Sequence, residues 1–578
     1  MKKIPLLVIT ILCFVNANYL IAQELSNYWK NRLVCNPMNL SYRYRPETKE
    51  ASRREAADPV IVLYKDLYIL FASKTGGYWI SNDLIKWDLV LTNQIPTEDY
   101  APTVVEINDT LYFMASAGTN AIYKSANPES GNWIKVRDSM PMKMTDPAFF
   151  LDDDKRLYLY WGCSNKDPLY RVELDMARNF EPIGNFTKTI FANPKKLGWE
   201  GDGDYNQSDK APWIEGSWMN KINGTYYLQY AAPGTEYRSY CDAVYTSKSP
   251  LGPFNLAMHN PFSLKIGGFI GGAGHGSTFK DKYGNYWHVA TMTISIHHPF
   301  ERRLGLFPVF VDNDSLIYTN TAWGDFPMQM PDRKISTAND IFTDYMLLSN
   351  KKTATASSSM EGHEPSKAVD ENIRTAWAAK TGDKGEWFII DLEAICKVAA
   401  IQVNYFDINS KTYGRDSLDY YQYLVEYSQD GKVWNNFSDK RNSKESLSHN
   451  FLVADKLTQA RYLKITNYKI PGGVFALSGL RVFGYKNGKI PSVPDKVTVL
   501  RNEKDKRKAL IKWEPVRNAS GYNINYGISP EKLYHNHYVF GVDSLFIGNL
   551  HDEKKYYFKI QSFNESGRSK LSKMVLDF

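Results

Sequence analysis

One short pattern is written five times along this chain. It reads "DPVIVLYKDLYILFAS" from Asp58, "APTVVEINDTLYFMASA" from Ala101 and "DPAFFLDDDKRLYLYWG" from Asp146. It returns as "EGSWMNKINGTYYLQYAA" from Glu215 and "GHGSTFKDKYGNYWHVAT" from Gly274. Each copy joins two strand-forming runs, the second rich in Tyr, Leu or Ala, through a tight turn of Asp, Asn or Gly, which is the signature of a β-hairpin. Each is followed by a segment able to supply outer strands, such as "YWISNDLIKWDLV" and "DAVYTSKSPLGPF". Hairpin units recurring every ~45 to 70 residues, without a helical period between them, predict a five-bladed β-propeller.

The repeat also predicts a site. The first strand of a blade lines the central axis, so the residues that open the five units converge at one end of the funnel. At or next to those positions stand Asp58, Ala101, Asp146, Glu215 and His275. Three carboxylates and a histidine therefore share one pocket although they lie far apart in sequence. Carboxylates facing a narrow axis cost desolvation energy unless they bind or react with something.

Composition narrows the partner. Aromatic residues make up 14 % of the 578 residues, with 39 Tyr and 14 Trp, which suits β-rich folds and surfaces that stack on the C–H faces of sugars. The formal charge is only +7 with no dense Lys/Arg block, so nucleic acid is not an expected partner. The opening "MKKIPLLVITILCFVNANYLIAQ" reads as a secretory signal, residues 1–22, because its apolar run is too short to span a bilayer. The expected mature chain is exported, periplasmic or extracellular, and monomeric, with no membrane span. Cys35, Cys163, Cys241 and Cys396 lack metal or disulfide spacing and are expected as free thiols.

At the residues that open its units the chain resembles glycoside hydrolase family 43, the five-bladed inverting glycosidases. The resemblance covers roughly residues 36 to 318 and is carried by the two Asp-Pro starts, "DPAFFLDDD", "EGSW" before "NGTYYLQYAA", "YTSKSPLGPF" and "GAGHGS". It implies a general base at Asp58, an orienting and pKa-setting carboxylate at Asp146, and a general acid at Glu215. It also implies a sugar-contacting arginine, best matched by Arg303, and a central ion, usually calcium, held by His275. The usual Glu-Gly-Pro is Glu-Gly-Ser here, a change past the carboxylate. Trp79, Trp161 and Trp218, with Trp213 and Tyr237, are candidate sugar platforms, against the plainer reading that blades bury aromatics between them. "SNDLIKW" and "SQDGKVW" are read as turn-stabilising motifs without chemistry.

Farther on, "TATASSSMEGHEPSKAVDENIRTAWAAKTGDKGEWFIIDL", "VEYSQDGKVWNNF" and "ALSGLRVFG" resemble a discoidin-type β-sandwich, which includes carbohydrate-binding module family 32. That resemblance implies a structural calcium at Asp370 and Thr375, although Gly479 stands near the place of the closing acidic ligand. After a two-proline linker, "ALIKWEPVRNASGYNINYG" and "YYFKIQSFNESGRS" resemble a fibronectin type III sandwich with Trp513 and Tyr522 in its core, read as a spacer. The expected fold is all-β: a propeller over residues 23–340, a discoidin-like domain over 345–486 and a fibronectin type III domain over 491–578. The expected function is a secreted inverting glycosidase removing terminal sugars, α-L-arabinofuranosyl or β-D-xylosyl, from plant cell-wall glycans. The alternatives are an exo-acting galactosidase or galactanase of the same fold, or a non-catalytic carbohydrate-binding protein.

Overall fold

The computed structural model describes residues 32–414 and 419–577; the proposed signal segment lies outside them. Among the described residues there is no α-helix, only four short 3-10 turns. Five separate antiparallel sheets follow one another, each built of four strands in chain order, with one extra short strand in the fourth. Their first strands are Ala57–Tyr64, Thr103–Ile107, Ala148–Leu151, Glu215–Ile222 and Gly271–Lys280. These are the five repeat units, and they form the blades.

Local chemistry explains the hairpins. Three of the five first turns have two residues, Lys65-Asp66, Asn108-Asp109 and Asn223-Gly224, all with positive φ. That geometry matches the twist of the flanking strands and favours Asn, Asp and Gly. The turn of the fifth unit is longer, and Asp281 stabilises it by accepting the backbone N–H groups of Tyr283 and Asn285. The ring closes between the first and fifth blades, where the Asp58 N–H donates to Thr291 Oγ1 at 2.8 Å and the Ile61 N–H to Ser277 Oγ. Aromatic layers fill the gaps between blades: Phe71, Tyr78 and Phe113 each pack edge to face with Trp133 between the first and second. Each such buried ring is worth about 1.5–3 kcal/mol relative to exposure.

Residues 346–485 form a second body around a sheet with the long strands Trp387–Tyr405 and His449–Lys469 at its centre. Its core holds Trp377, Phe388, Phe475 and Val482. Residues 498–576 form a third body of two sheets. One is the three-stranded Thr498–Arg501, Ala509–Lys512 and Ser544–Ile547, and the other is centred on Gly521–Gly527 and Tyr557–Asn564. Trp513 and Tyr522 lie in its core, 5.0 Å apart.

The third body does not hold neighbours apart, as a spacer would. It lies against the propeller: Tyr534 stacks on Tyr318 at 3.7 Å, Tyr538 stacks on Trp323, and Lys532 bonds Asp312. The two turn motifs behave as read. Asp83 accepts the N–H groups of Ile85 and Lys86, and Asp430 accepts those of Lys432 and Val433.

Candidate active site

Five left-handed residues ring the funnel mouth. Asp58 (φ 52°), Ala101 (47°), Asp146 (51°), Gly216 (60°) and His275 (40°) occupy the same place at the start of successive blades. The conformation is strained for every residue but glycine, at about 1–3 kcal/mol each, and persists only where neighbours over-determine it. Here the neighbours are side chains of adjoining blades. Ser73 Oγ accepts the Ala101 N–H at 2.7 Å, Ser116 Oγ that of Asp146 at 2.7 Å, and Thr291 Oγ1 that of Asp58. Asp242 accepts both His275 and Gly276 N–H groups, at 2.8 and 2.9 Å. In the fourth blade the left-handed residue must be Gly216, because a Cβ there would lie 2.6 Å from His275 Cγ. Glu215 therefore projects from one position earlier than its counterparts.

The pocket above this ring has a volume of about 480 Å³. Asp58, Asp146, Glu215 and His275 form its floor, and Cys163, Trp213, Thr235, Glu236, Phe300 and Arg302 complete the walls. Asp58 is buried and accepts Ser73 Oγ–H, Arg302 Nη1 at 3.3 Å and, at 3.3 Å, the facing His275 Nδ1. Burial works against its ionisation. Arg302 and His275, helped by the bonds from Ser73 and Ala101, outweigh that and hold the carboxyl below the usual range. Arg302 is itself anchored by Glu55 at 2.8 Å and Thr235 at 3.2 Å.

Asp146 is buried too but has fewer donors: Ser116 Oγ at 3.3 Å, and His275 Nδ1 at 3.8 Å. Burial, followed by the charges of Glu215 and Asp58, pushes its carboxyl well above the usual range despite His275. The raised group that this geometry shows is Asp146 itself, and Glu215 is one of the charges that raise it. One oxygen each of Asp146 and Glu215, with Cys163 Sγ, lie within 4.8 Å of one another. The two carboxyls are thus close enough to be coupled. Glu215 is oriented from both sides: Tyr240 O–H donates to Oε1, and Cys163 S–H donates to Oε2 at 2.9 Å. Burial and the adjacent carboxylates keep both donors protonated.

Several expected contacts fall elsewhere. Arg303 does not reach the pocket. Adjacent strand residues face opposite ways, and it is Arg302 that points in. Arg303 is buried on the far side, donating to His449 Nε2 at 2.9 Å and to the Arg54 carbonyl. Trp79 bonds Ser41 and sits in the core, Trp161 stacks on Tyr170, and Trp218 packs between blades with its Nε1 on the Thr278 carbonyl. They are blade aromatics. The tryptophan at the pocket is Trp213, 45 % exposed. Cys163 and Arg302 were missed in the sequence, yet Cys163 had a signal. It stands after the second strand of its unit, where Ser73 and Ser116 stand in theirs.

The residues of both implied calcium sites already have protein partners. His275 Nδ1 faces two carboxylates, and burial, which disfavours its charge, is outweighed by Asp58, Asp146 and Glu215. Its Nδ1 lies 3.3 Å from Asp58 Oδ1 and 3.8 Å from Asp146 Oδ2, so that nitrogen serves the carboxylates. In the second body, Thr375 Oγ1 donates to Asp370 Oδ2 at 2.7 Å and the Asn372 N–H to Oδ1, which satisfies the loop internally. Near Gly479, where an acidic ligand would close the cage, a Cβ would meet the propeller's Phe269 at 2.9 Å.

Residues 52–316 match the sequence profile described as Glycosyl hydrolases family 43. The propeller is a family 43 glycosyl hydrolase domain. Residues 353–477 match the F5/8 type C domain, so the family 43 domain is followed by a discoidin domain. Two curated relatives align. A beta-D-galactofuranosidase of Aspergillus niger is 28 % identical over 272 residues, 40 % of this chain and 72 % of that one. An arabinoxylan arabinofuranohydrolase of Bacillus subtilis is 30 % identical over 203 residues, 31 % of this chain and 36 % of that one. A solved glycoside hydrolase aligns over 74 % of this chain and 97 % of its own at 19 % identity and a TM-score of 0.44. The matched domain and the curated relatives support glycosidase activity.

Proposed function

We propose that the family 43 domain removes terminal furanosyl or xylosyl sugars from plant polysaccharides or their oligosaccharides by single displacement with inversion. One observation carries this reading: Asp58, bonded to Arg302 and facing His275, shares one pocket with the close carboxyl pair Asp146 and Glu215. Asp58 acts as general base on a water. Glu215, fixed by Tyr240 and Cys163, delivers a proton to the leaving oxygen, and Asp146 holds that proton between turnovers. An inverting pair needs roughly 6.5–9.5 Å between base and acid so that the water fits, and Asp58 and Glu215 come from the first and fourth blades of one funnel.

Both curated relatives are named for furanosides, of galactose and of arabinose, which supports α-L-arabinofuranosides first and β-D-galactofuranosides second. A compact pocket lined by Trp213 and Phe300 suits terminal rather than internal residues. Calcium enters the proposal at neither site. The export signal, the monomeric state, the fibronectin type III identity of the third body and glycan binding by the discoidin domain belong to the same proposal. It is supported by the sequence features already given and by the strand order of the third body. No helix of the described residues is long and apolar enough to cross a membrane.

The test is hydrolysis of 4-nitrophenyl α-L-arabinofuranoside, β-D-galactofuranoside and β-D-xylopyranoside, with the anomer of the first product followed by NMR. Hydrolysis of at least one with inversion is expected. Retention, or inertness toward all three, overturns the reading.

A further inference from the structure

One side chain of the discoidin domain bonds three propeller segments that border the catalytic funnel. Arg374 projects from the discoidin loop that also carries Asp370 and Thr375, and each nitrogen of its guanidinium bonds a different propeller segment. Nη1 donates to Asp204 Oδ2 at 2.6 Å, Nη2 to the Glu236 carbonyl at 3.1 Å, and Nε to the Ile294 carbonyl at 2.8 Å. The preceding residue, Ile373, is buried among Phe269, Ala273, Met292 and Phe307 of the propeller, and its N–H bonds the Phe269 carbonyl. The loop is thus seated in the fourth and fifth blades rather than free at a domain tip.

All three segments lead to the pocket. Glu236 and its neighbours Gly234 and Thr235 are pocket wall, and Thr235 Oγ1 accepts the Arg302 Nη1 that bonds Asp58. The Ile294 and Ser295 N–H groups both bond the Glu301 carbonyl, which closes the loop carrying Phe300 and leading into Arg302. Asp204, besides meeting Arg374, accepts the Arg238 N–H at the end of the 233–238 wall. Two of the three bonds therefore converge on Arg302, the group that sets the place and charge of Asp58. A guanidinium is suited to this because its donors form a fixed fork, which a lysine cannot reproduce.

We propose that Arg374 is a positioning residue for the active site, clamping the 233–238 and 294–301 segments so that Arg302 holds Asp58. The discoidin domain is then part of the catalytic unit. The inference rests on the glycosidase reading of the pocket. A displacement of about 1 Å at such a group can cost ~10²-fold in rate.

The test compares Arg374→Ala, Arg374→Lys and Ile373→Ala in the full chain. All three loosen the docking, but only the first two release the clamp. The two Arg374 variants are expected to lose 10- to 100-fold in kcat on the aryl glycoside that the parent cleaves best, at a temperature where each remains folded. Ile373→Ala is expected to lower Tm at least as much while keeping kcat within about twofold. Full kcat in Arg374→Ala overturns the proposal, and so does an equal kcat loss in Ile373→Ala. If the parent cleaves no aryl glycoside, the glycosidase reading fails on its own. Hydrogen exchange still reads the clamp: Arg374→Ala should speed exchange over residues 234–238 and 294–301 alone, and unchanged exchange there overturns it.

Discussion

Asp58 is held by three kinds of partner, and each can be removed separately. Ser73 supplies a hydroxyl, His275 a charge at 3.3 Å, and Arg302 a second charge that is itself fixed by Glu55 and Thr235. Because these lower the carboxyl's pKa, activity that needs ionised Asp58 is present above that pKa and lost as pH falls through it. Ser73→Ala removes one donor and raises the pKa, so the acid limb of kcat/KM against pH is expected to move to higher pH. An unmoved limb would separate Asp58 from the base role. Cys163 offers a second residue-scale test. A hydrogen bond to a charged group is worth about 1.5–3 kcal/mol, so Cys163→Ala is expected to lose roughly tenfold or more in kcat. Cys163→Ser, which keeps a donor to Glu215, should retain most of it. For His275 the account expects that strong chelator leaves parent activity unchanged and that added calcium does not rescue His275→Ala. Reversible chelator inhibition would restore the metal that this geometry leaves out.

The start of each inner strand is the element that makes the site. Five left-handed residues in register turn the strand ends inward, and the one glycine among them, Gly216, lies under the His275 ring. Gly216→Ala adds both backbone strain and a contact at 2.6 Å that the imidazole must vacate. It is expected to lower Tm and to reduce activity more than its stability loss explains, measured by thermal melting beside kcat. This element was the most legible in the sequence: a repeat opening on Asp-Pro marks its own equivalent positions, and Asp58, Asp146, Glu215 and His275 could be placed together from five fragments. Strand parity was not legible. Arg302 and Arg303 open the third strand of the fifth blade together, and nothing in the sequence marks which face of that strand meets the funnel. Nor were the aromatics, since Trp79 and Trp161 have the same local context whether a ring lies between blades or in the funnel. Arg374 lacked any signal, because its partners are 80 to 170 residues away and belong to another domain.

At the scale of the molecule, the three bodies form one packed unit. Arg303 on His449, Arg481 between Glu371 and the Asp325 carbonyl, and Lys265 on Asp325 beside Tyr538 are buried polar contacts made around or across the domain boundaries. Removing one side leaves Arg54 without Asp407 of the discoidin domain, 3.4 Å away, and breaking a buried pair typically costs about 3–5 kcal/mol. The propeller alone, ending near residue 343, is therefore expected to melt well below the full chain or fail to accumulate in soluble form. An isolated propeller with the parent's Tm and kcat would show that the bodies are merely neighbours. The central claim is narrower: the Asp58 and Glu215 carboxyls in this pocket perform the hydrolysis. The most direct measurement is the kcat of Asp58→Asn and Glu215→Gln, on the substrate the parent cleaves, with Tm recorded for each. The account predicts parent-like folding with losses of ~10²–10⁴-fold in each variant. Near-full activity in either folded variant would contradict it.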